Sequence, residues 1–204
     1  MKSILKIVAS SVALALSLTA QAANNILVLG DSLSAGYGIA RDQAWPSLLQ
    51  RELASSHPGW QVVNASISGE TTAGGLRRIA DALQQHRPGI VIVELGANDG
   101  LRGTPLQETE KNLDGIIRQA KRAHAKVLLL GMQLPPNYGA AYTQGFRALY
   151  PKLAQRHRVA LVPFMLQGVA PEQFQPDNLH PDASAQPAIV RNVLPLLRPL
   201  LGQP

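Results

Sequence analysis

The sequence predicts a three-layer α/β/α domain built on a parallel β-sheet, and two observations lead to that fold class. First, five short apolar runs alternate along the chain with five longer segments in which apolar residues recur at helical spacing. Second, the apolar runs hold few polar residues, which is typical of strands in a sheet covered by helices on both faces. Strands and helices that alternate at these lengths form right-handed βαβ units and therefore a parallel sheet.

The predicted elements follow one another without a repeat or a linker, so we expect a single domain. The strands are expected at 26–29, 60–65, 90–95, 126–130 and 159–162. The helices are expected at about 43–55, 73–86, 106–124, 139–157 and 184–201. The helix at 106–124 has a clear amphipathic pattern, with apolar residues on one face and charges on the other. The sequence HRPG at 86–89 marks the end of a helix, because proline and glycine stop helices.

The first 22 residues have the composition of a signal peptide. Two lysines lead into an apolar run at 7–18, and Ala20 and Ala22 occupy the two small positions of a cleavage site. We therefore predict export to the periplasm, with secretion as the alternative, and a mature domain at 23–204. An uncleaved membrane anchor remains open, although the apolar run is short for a spanning helix. The absence of cysteine excludes a lipoprotein anchor.

Charge and cysteine content exclude several classes of function. The net charge is +6 at pH 7, and removal of residues 1–22, which hold two lysines and no acid, leaves +4. The basic pairs Arg77-Arg78 and Lys121-Arg122 are too small for a nucleic-acid interface, and solvated helix faces explain them better. Without cysteine the chain has no disulfide, no thiolate metal site and no cysteine nucleophile.

Small and polar residues follow each of the first three predicted strands. They are Gly30 to Ser32, Ser66 to Glu70, and Gly96 to Asp99. In open α/β sheets, ligands bind beyond the carboxyl ends of the strands, where these three segments are expected to meet. The sequence therefore predicts the functional site at this edge of the sheet.

Ser32 is the candidate nucleophile, although the short sequence Gly-Asp-Ser leaves other roles open. Asp31 or Ser32 is also suited to cap the helix that follows. A phosphate-binding loop is less consistent with the sequence, which lacks both GxGxxG and the lysine of a Walker motif. The GxSxG nucleophile elbow of α/β-hydrolases is absent as well, since the sequence reads GDSLS.

A serine hydroxyl needs a base before it attacks an acyl carbon, and His180 is the best candidate among five histidines. The other four lie near the ends of predicted helices, where an imidazole suits the helix dipole. His180 lies in a loop between Asp177 and Pro181, and the proline favours an extended backbone. A short turn then brings the Asp177 carboxylate to one imidazole nitrogen and leaves the other facing outward. The alternative is a turn-forming aspartate beside a surface histidine.

Three groups near the strand ends are candidate donors to the negative oxygen that develops when a hydroxyl attacks an ester. They are the backbone N–H of Ser32, the backbone N–H of Gly69 and the side-chain amide of Asn98. Glycine lets a backbone N–H approach a ligand closely, and an asparagine amide donates without titrating. The alternative for Asn98 and its neighbour Asp99 is a plain turn after the strand.

Four blocks of the sequence together resemble the SGNH (GDSL) hydrolase family. In the family's order, they are GDSLS at 30–34, NASISGETT at 64–72, GAND at 96–99 and DNLH at 177–180. The resemblance covers essentially the whole predicted mature chain. It implies a flavodoxin-like, five-stranded parallel sheet in the order 2-1-3-4-5.

The same resemblance implies a serine esterase that works through an acyl-enzyme intermediate. It implies a triad of Ser32, Asp177 and His180, and oxyanion donors from Ser32, Gly69 and Asn98. The implied substrates are aryl and alkyl esters, acyl-CoA thioesters and lysophospholipids. A carbohydrate O-acetylesterase of the same family is the alternative.

Two segments after the third and fourth strands are candidates for an acyl-binding groove. They lie at 100–106 and 132–142 and carry Leu101, Met132, Leu134 and Tyr138. Ordinary loop packing explains these residues equally well. We expect no metal or other cofactor, because the sequence lacks HExxH and paired histidines at ligand spacing.

Two other classes of protein compete with an esterase. A flavodoxin-type nucleotide-binding module would need phosphate loops and would have no use for a histidine in the DNLH loop. A binding protein without turnover usually needs two lobes, and one domain of this length is too short for them. We therefore expect the partner to be a small acyl ester or thioester, with no nucleic acid. A transient contact with a membrane lipid surface and a monomeric state are also expected.

Overall fold

The computed structural model describes residues 24–202, so the predicted signal peptide lies outside the described residues. The strands are β1 (Asn25–Gly30), β2 (Gln61–Asn64), β3 (Ile90–Glu94), β4 (Lys126–Leu130) and β5 (Ala160–Val162). The α-helices are α1 (Ser32–Ala35), α2 (Trp45–Ser56), α3 (Thr72–His86), α4 (Ala97–Leu101), α5 (Leu106–Arg122), α6 (Ala140–His157) and α7 (Gln186–Leu201). All predicted strands and long helices are present, with ends shifted by two residues at most.

The five strands form one parallel sheet in the order β2-β1-β3-β4-β5, which confirms the fold class and the strand order. Helices α3, α5 and α6 pack beside one another, whereas α2 packs against α7. Right-handed crossovers place these two groups on opposite faces of the sheet, because the chain reverses its direction across the sheet after β2. Both faces are therefore covered, and β3 at the centre is buried along its whole length.

The turn after β1 places Ser32 at the carboxyl edge of the sheet. The strand ends at Gly30, and Asp31 caps the short helix α1 by accepting a hydrogen bond of 3.0 Å from the N–H of Leu33. Helix α1 closes after one turn because Gly36 adopts a left-handed backbone with φ of 78°, which favours glycine. Asp31 thus takes the capping role that the sequence left open between Asp31 and Ser32.

Between residues 24 and 202, no helix combines the length and the apolar character that crossing a membrane requires.

Candidate active site

Ser32, His180 and Asp177 form a continuous line of hydrogen bonds, as the sequence predicts. The distance from Ser32 Oγ to His180 Nε2 is 2.8 Å, and the distance from His180 Nδ1 to Asp177 Oδ2 is 2.6 Å. A proton on Nδ1 that is donated to Asp177 leaves Nε2 to accept the hydroxyl hydrogen of Ser32. The fold therefore brings together a hydroxyl and an imidazole that are 148 residues apart in the chain.

The loop that carries His180 is held in place by its own hydrogen bonds. Asp177 Oδ1 accepts the N–H of Leu179 at 2.9 Å and that of His180 at 3.0 Å, while its second oxygen contacts the imidazole. These donors stabilise the carboxylate, so they lower the pKa of Asp177 to about 2. An antiparallel bridge between Phe174 and Pro181 closes the loop. Asp177 thus forms the turn and orients the histidine at the same time.

Tyr37 supports the imidazole from the side, a contact that the sequence did not predict. The ring centroids of Tyr37 and His180 lie 4.5 Å apart, with the rings tilted by 40°. Gln175 ties the two segments together by donating a hydrogen bond of 2.8 Å to the carbonyl of Tyr37. Tyr37 lies just after α1, so the same turn that positions Ser32 also brings this ring to the base.

Two of the three predicted oxyanion donors have free N–H groups. Within residues 24–202, the backbone N–H groups of Ser32 and Gly69 donate no hydrogen bond. Gly69 lies in a turn closed by a bond of 3.1 Å from the N–H of Glu70 to the carbonyl of Ile67. Its φ of 79° is in the left-handed region that such a turn requires, which explains the glycine.

Asn98, the third predicted donor, lies between the turns that carry Ser32 and Gly69. Its amide nitrogen donates to the carbonyl of Glu70 at 2.9 Å and to Asp31 Oδ2 at 3.2 Å. Each acceptor is the chain neighbour of another predicted donor. Both amide hydrogens of Asn98 are thus engaged. To donate to an oxyanion, Asn98 has to share with the substrate oxygen, or give up to it, the hydrogen that forms the longer bond to Asp31.

Arg78 fixes the turn that carries Gly69, which corrects our interpretation of the pair Arg77-Arg78 as a solvated helix face. Its guanidinium donates to Glu70 Oε2 at 2.7 Å, to the carbonyl of Ala65 at 2.7 Å and to that of Gly30 at 3.3 Å. The side chain is only 21% exposed. The helical pattern places Arg78 on α3 but does not show that its side chain reaches the end of β1.

Two buried carboxyl groups, from Asp31 and Glu94, lie beneath the serine, and both are completely inaccessible to solvent. Burial raises the pKa of Asp31 to about 6. Burial, and next the negative charge of Asp31, raise the pKa of Glu94 well above its ordinary value. The sequence did not predict Glu94 as a site residue, because it stands at the end of an apolar strand and outside the four family blocks.

An apolar cavity of about 370 Å³ opens beside Ser32 and His180. Its apolar lining includes Leu101, Met132, Leu134, Phe164, Leu166 and Phe174. Three of the four predicted groove residues therefore line this cavity. Tyr138 does not, because the lining ends at Pro135 and the chain then enters a 3-10 turn at Pro136–Tyr138. We accordingly remove Tyr138 from the predicted groove.

Among the residues that the structure describes, no group of three or more histidine, aspartate or glutamate side chains is arranged to hold a metal ion. The other four histidines lie at helix ends, as expected. His57 follows α2, His86 ends α3, His124 lies just after α5 and His157 ends α6. His157 bonds to Asp114 at 2.7 Å.

A carboxylate that holds an imidazole against a serine hydroxyl makes that hydroxyl a nucleophile, so the fold and this geometry define the class of serine hydrolases. Within that class, the chain belongs to the GDSL-like lipase/acylhydrolase family, whose profile matches residues 28–186.

Relatives of known name cover nearly all of the chain. It is 48% identical over 182 residues to the esterase TesA of Pseudomonas aeruginosa, a match that covers 88% of this chain and 90% of the relative. It is 46% identical over 189 residues to thioesterase 1/protease 1/lysophospholipase L1 of Escherichia coli, covering 92% and 89%. A crystal structure of TesA superposes with a TM-score of 0.83 at 47% identity, covering 86% of this chain and 99% of the other.

Proposed function

We propose that this protein hydrolyses carboxylic esters and thioesters of acyl chains through an acyl-enzyme formed on Ser32. The observation that carries the proposal is the line of hydrogen bonds from Ser32 through His180 to Asp177, with distances of 2.8 and 2.6 Å. The relatives named as an esterase and as a thioesterase and lysophospholipase support the same class of substrate.

The first half of the reaction transfers the acyl group to the enzyme. His180 Nε2 takes the hydroxyl proton of Ser32 while Ser32 Oγ forms a bond to the acyl carbon. Asp177 stabilises the imidazolium that results, and its low pKa keeps the carboxylate charged. When the tetrahedral intermediate collapses, the bond to the leaving oxygen or sulfur breaks and His180 returns the proton to that atom.

The second half repeats these steps with water as the nucleophile. His180 takes a proton from water while the water oxygen attacks the acyl carbon. When this second tetrahedral intermediate collapses, the bond to Ser32 Oγ breaks and His180 returns the proton to that oxygen. In both halves the N–H groups of Ser32 and Gly69 and the amide of Asn98 donate to the negative oxygen. The free N–H groups of Ser32 and Gly69 support this role.

The apolar cavity favours an acyl chain longer than acetyl. Hydrophobic side chains such as Leu101, Met132 and Leu134 line it, and it opens beside the triad. A series of aryl esters from acetyl to octanoyl tests this: kcat/KM rises with chain length if the cavity holds the acyl group. A maximum at acetyl supports a carbohydrate O-acetylesterase instead, the second candidate function.

A combined labelling and activity experiment tests the nucleophile. An alkyl phosphonate ester is expected to add one phosphonyl group to Ser32, detected by mass spectrometry, and the Ser32→Ala variant is expected to lose both the label and turnover. Ser55→Ala is a matched control, since Ser55 lies on an exposed part of α2 and bonds only to the carbonyl of Glu52. A label on another residue, or turnover by Ser32→Ala, contradicts the proposal.

The proposal includes export and action as a monomer. Residues 1–22 act as a signal peptide, so the mature protein isolated from the periplasm has the mass of residues 23–204. All three members of the hydrogen-bonded line come from one chain, which supports a site that needs no second copy. Light scattering on the mature protein tests the monomeric state.

We include transient contact with a lipid surface, because exposed apolar residues surround the site. Tyr37 and Leu179 are 53% and 43% exposed and lie against or next to His180. Ile67 is 52% exposed, and its N–H bonds to the carbonyl of Gly30 at 3.1 Å. Phosphatidylglycerol vesicles are expected to retain the wild type in a flotation assay, and Ile67→Ser combined with Leu179→Ser is expected to abolish retention. Equal retention of both proteins contradicts this contact.

A further inference from the structure

Glu94 is a buried acid that the proposed mechanism does not use. It is the last residue of β3, where it pairs in register with Gly30 at the end of β1. Its side chain is completely inaccessible to solvent. Burying a carboxyl group costs folding free energy unless its hydrogen-bond partners compensate for the lost hydration. The contacts of Glu94 therefore indicate its role.

Those contacts lie on both sides of the candidate nucleophile. Glu94 Oε2 accepts the backbone N–H of Asp31 at 3.2 Å and the hydroxyl of Ser34 at 2.7 Å. One acceptor atom therefore holds the residue before Ser32 and the residue two positions after it. The turn from β1 into α1 is fixed at these two points, with the Ser32 hydroxyl between them.

The Glu94 carboxyl group occupies the space that a side chain at position 30 would need, so only glycine fits there. A Cβ atom at Gly30 would lie 2.8 Å from Glu94 Oε2 and 2.8 Å from the Cβ and Oγ of Ser34. These distances are shorter than side chains tolerate, and the atoms concerned are buried. The geometry of the turn thus joins Gly30, Asp31 and Ser34 of the sequence GDSLS to one glutamate from the neighbouring strand.

The second oxygen of Glu94 indicates the protonation state. Oε1 has no hydrogen-bond partner in the described part of the chain, so nothing there stabilises a negative charge on this oxygen. The raised pKa of Glu94 agrees with this, since its causes are burial and the negative charge of Asp31. Glutamine has the same shape as a protonated glutamate and keeps one acceptor and one donor.

We propose that Glu94 is a positioning residue for the nucleophile, holding the Ser32 turn through its bonds to Asp31 and Ser34. The inference rests on the proposed function, because positioning has meaning only if Ser32 attacks the substrate. Glu94 touches neither the substrate nor the triad. Its effect therefore falls on kcat and on the rate of serine labelling rather than on KM for the acyl chain.

Two substitutions separate positioning from folding. Glu94→Leu removes both bonds and leaves the N–H of Asp31 and the hydroxyl of Ser34 buried without this acceptor, so we expect a lower stability as well. We expect kcat and the rate of phosphonate labelling of the folded variant to fall about 10²-fold, the scale of a nucleophile displaced by about 1 Å, with KM little changed. Glu94→Gln keeps the acceptor and is expected to retain kcat within about threefold.

A buried polar residue away from the site supplies the matched control. Thr109 on α5 is completely buried, and its hydroxyl has no partner among residues 24–202. Thr109→Val replaces a buried polar group by an apolar one and is expected to leave kcat unchanged. A fall in kcat in this control equal to that in Glu94→Leu shows that any change in the core affects turnover, which overturns the inference.

Ser34 provides an independent measurement if Glu94→Leu does not fold. Ser34→Ala removes one of the two bonds and is expected to lower kcat by about threefold to tenfold. If Glu94→Leu does fold, the effects of the two substitutions should not add in the double variant, because both act through one contact.

Unchanged kcat in Ser34→Ala, or Glu94→Gln as slow as Glu94→Leu, overturns the inference. If Ser32→Ala itself keeps turnover, the proposed function fails. If Ser32→Ala is inactive while Glu94→Leu is fully active, only the role of Glu94 fails.

Discussion

Two aspartates reach the candidate active site from opposite environments. Asp177 lies in a loop, its side chain is 37% exposed, and hydrogen-bond donors lower its pKa to about 2. Asp31 lies beneath Ser32 with no exposed surface, and burial raises its pKa to about 6. The same side chain is thus stabilised as an anion at one place and destabilised as an anion at the other.

The difference separates two tasks that a carboxylate can perform. In the proposed mechanism, Asp177 stabilises a positive charge that forms on His180, and a carboxyl group with a low pKa is ionised for that task. Among the described residues, no hydrogen bond joins the Asp31 carboxylate to a positively charged side chain. Its oxygens accept the N–H of Leu33 and the amide of Asn98, which fixes the geometry of the helix start and of an oxyanion donor. We therefore propose that Asp177 acts through its charge and that Asp31 acts by positioning its neighbours.

The largest effect is expected when the charge of the exposed acid is removed. Asp177→Asn keeps the turn but replaces the carboxylate that faces the imidazole, so kcat is expected to fall about 10⁴-fold. The control is Asp182→Asn, because Asp182 bonds to Ser184 at 2.6 Å rather than to His180. Steady-state kinetics with an aryl ester measures both variants. If Asp182→Asn has the larger effect, the acid of the triad is assigned wrongly.

The next largest effect is expected at the amide that Asp31 holds. Asn98→Ala removes one donor to the oxyanion, and kcat is expected to fall about 10²–10³-fold with little change in KM. Both constants are measured from a kinetic curve whose ester concentrations extend to saturation. Near-normal turnover would remove Asn98 from the oxyanion site and leave the N–H groups of Ser32 and Gly69 as the donors.

The alternation of the sequence was sufficient to predict the layers of the fold and the edge of the sheet where the site lies. The residue types of their segments made Ser32, Asp177 and His180 candidates, and the family resemblance joined them into a predicted triad, whose members the structure places in hydrogen-bond contact. Helices α1 and α4 were not predicted, since elements of four and five residues are too short to show a helical period.

The supporting residues were missed for a different reason. Glu94 and Arg78 occupy ordinary positions on a strand and a helix, and only the tertiary structure shows where their side chains end. The prediction for Tyr138 was wrong in the opposite direction, because it assigned to the site a residue that does not belong there. A 3-10 turn carries Tyr138 beyond the cavity that its neighbours line. Sequence patterns thus predicted the three hydrogen-bonded side chains of the candidate triad, whereas only long-range packing shows which residues hold them in place.

A third prediction compares the loss of kcat on neutralising the buried Asp31 with the loss on neutralising the exposed Asp177. Asp31→Asn retains the shape of the side chain, but its amide nitrogen must face the N–H of either Leu33 or Asn98. One of the two hydrogen bonds is therefore lost, and kcat is expected to fall about tenfold, far less than in Asp177→Asn. Parallel kinetics of the two variants at one pH provide the measurement. Equal losses would show that both acids act through their charge.

The smallest effect concerns stability, and its dependence on pH should have opposite signs at the two aspartates. The pKa of Asp177 in the folded protein, about 2, lies below its ordinary value of 3.8, so its contribution to stability is present above 3.8 and lost as the pH falls through 2. The pKa of Asp31, about 6, lies above 3.8, so its charge destabilises the fold above pH 6 and this cost disappears below 3.8.

Urea unfolding at a series of pH values measures this contrast. Relative to wild type, Asp177→Asn is expected to lose stability as the pH rises from 2 to 4, because wild type alone gains from the ionised loop. Asp31→Asn is expected to gain stability relative to wild type as the pH rises from 4 to 6, because only wild type has to bury a charge. Slopes of the same sign in both variants would mean that burial does not distinguish the two acids, and the division between charge and position would fail with it.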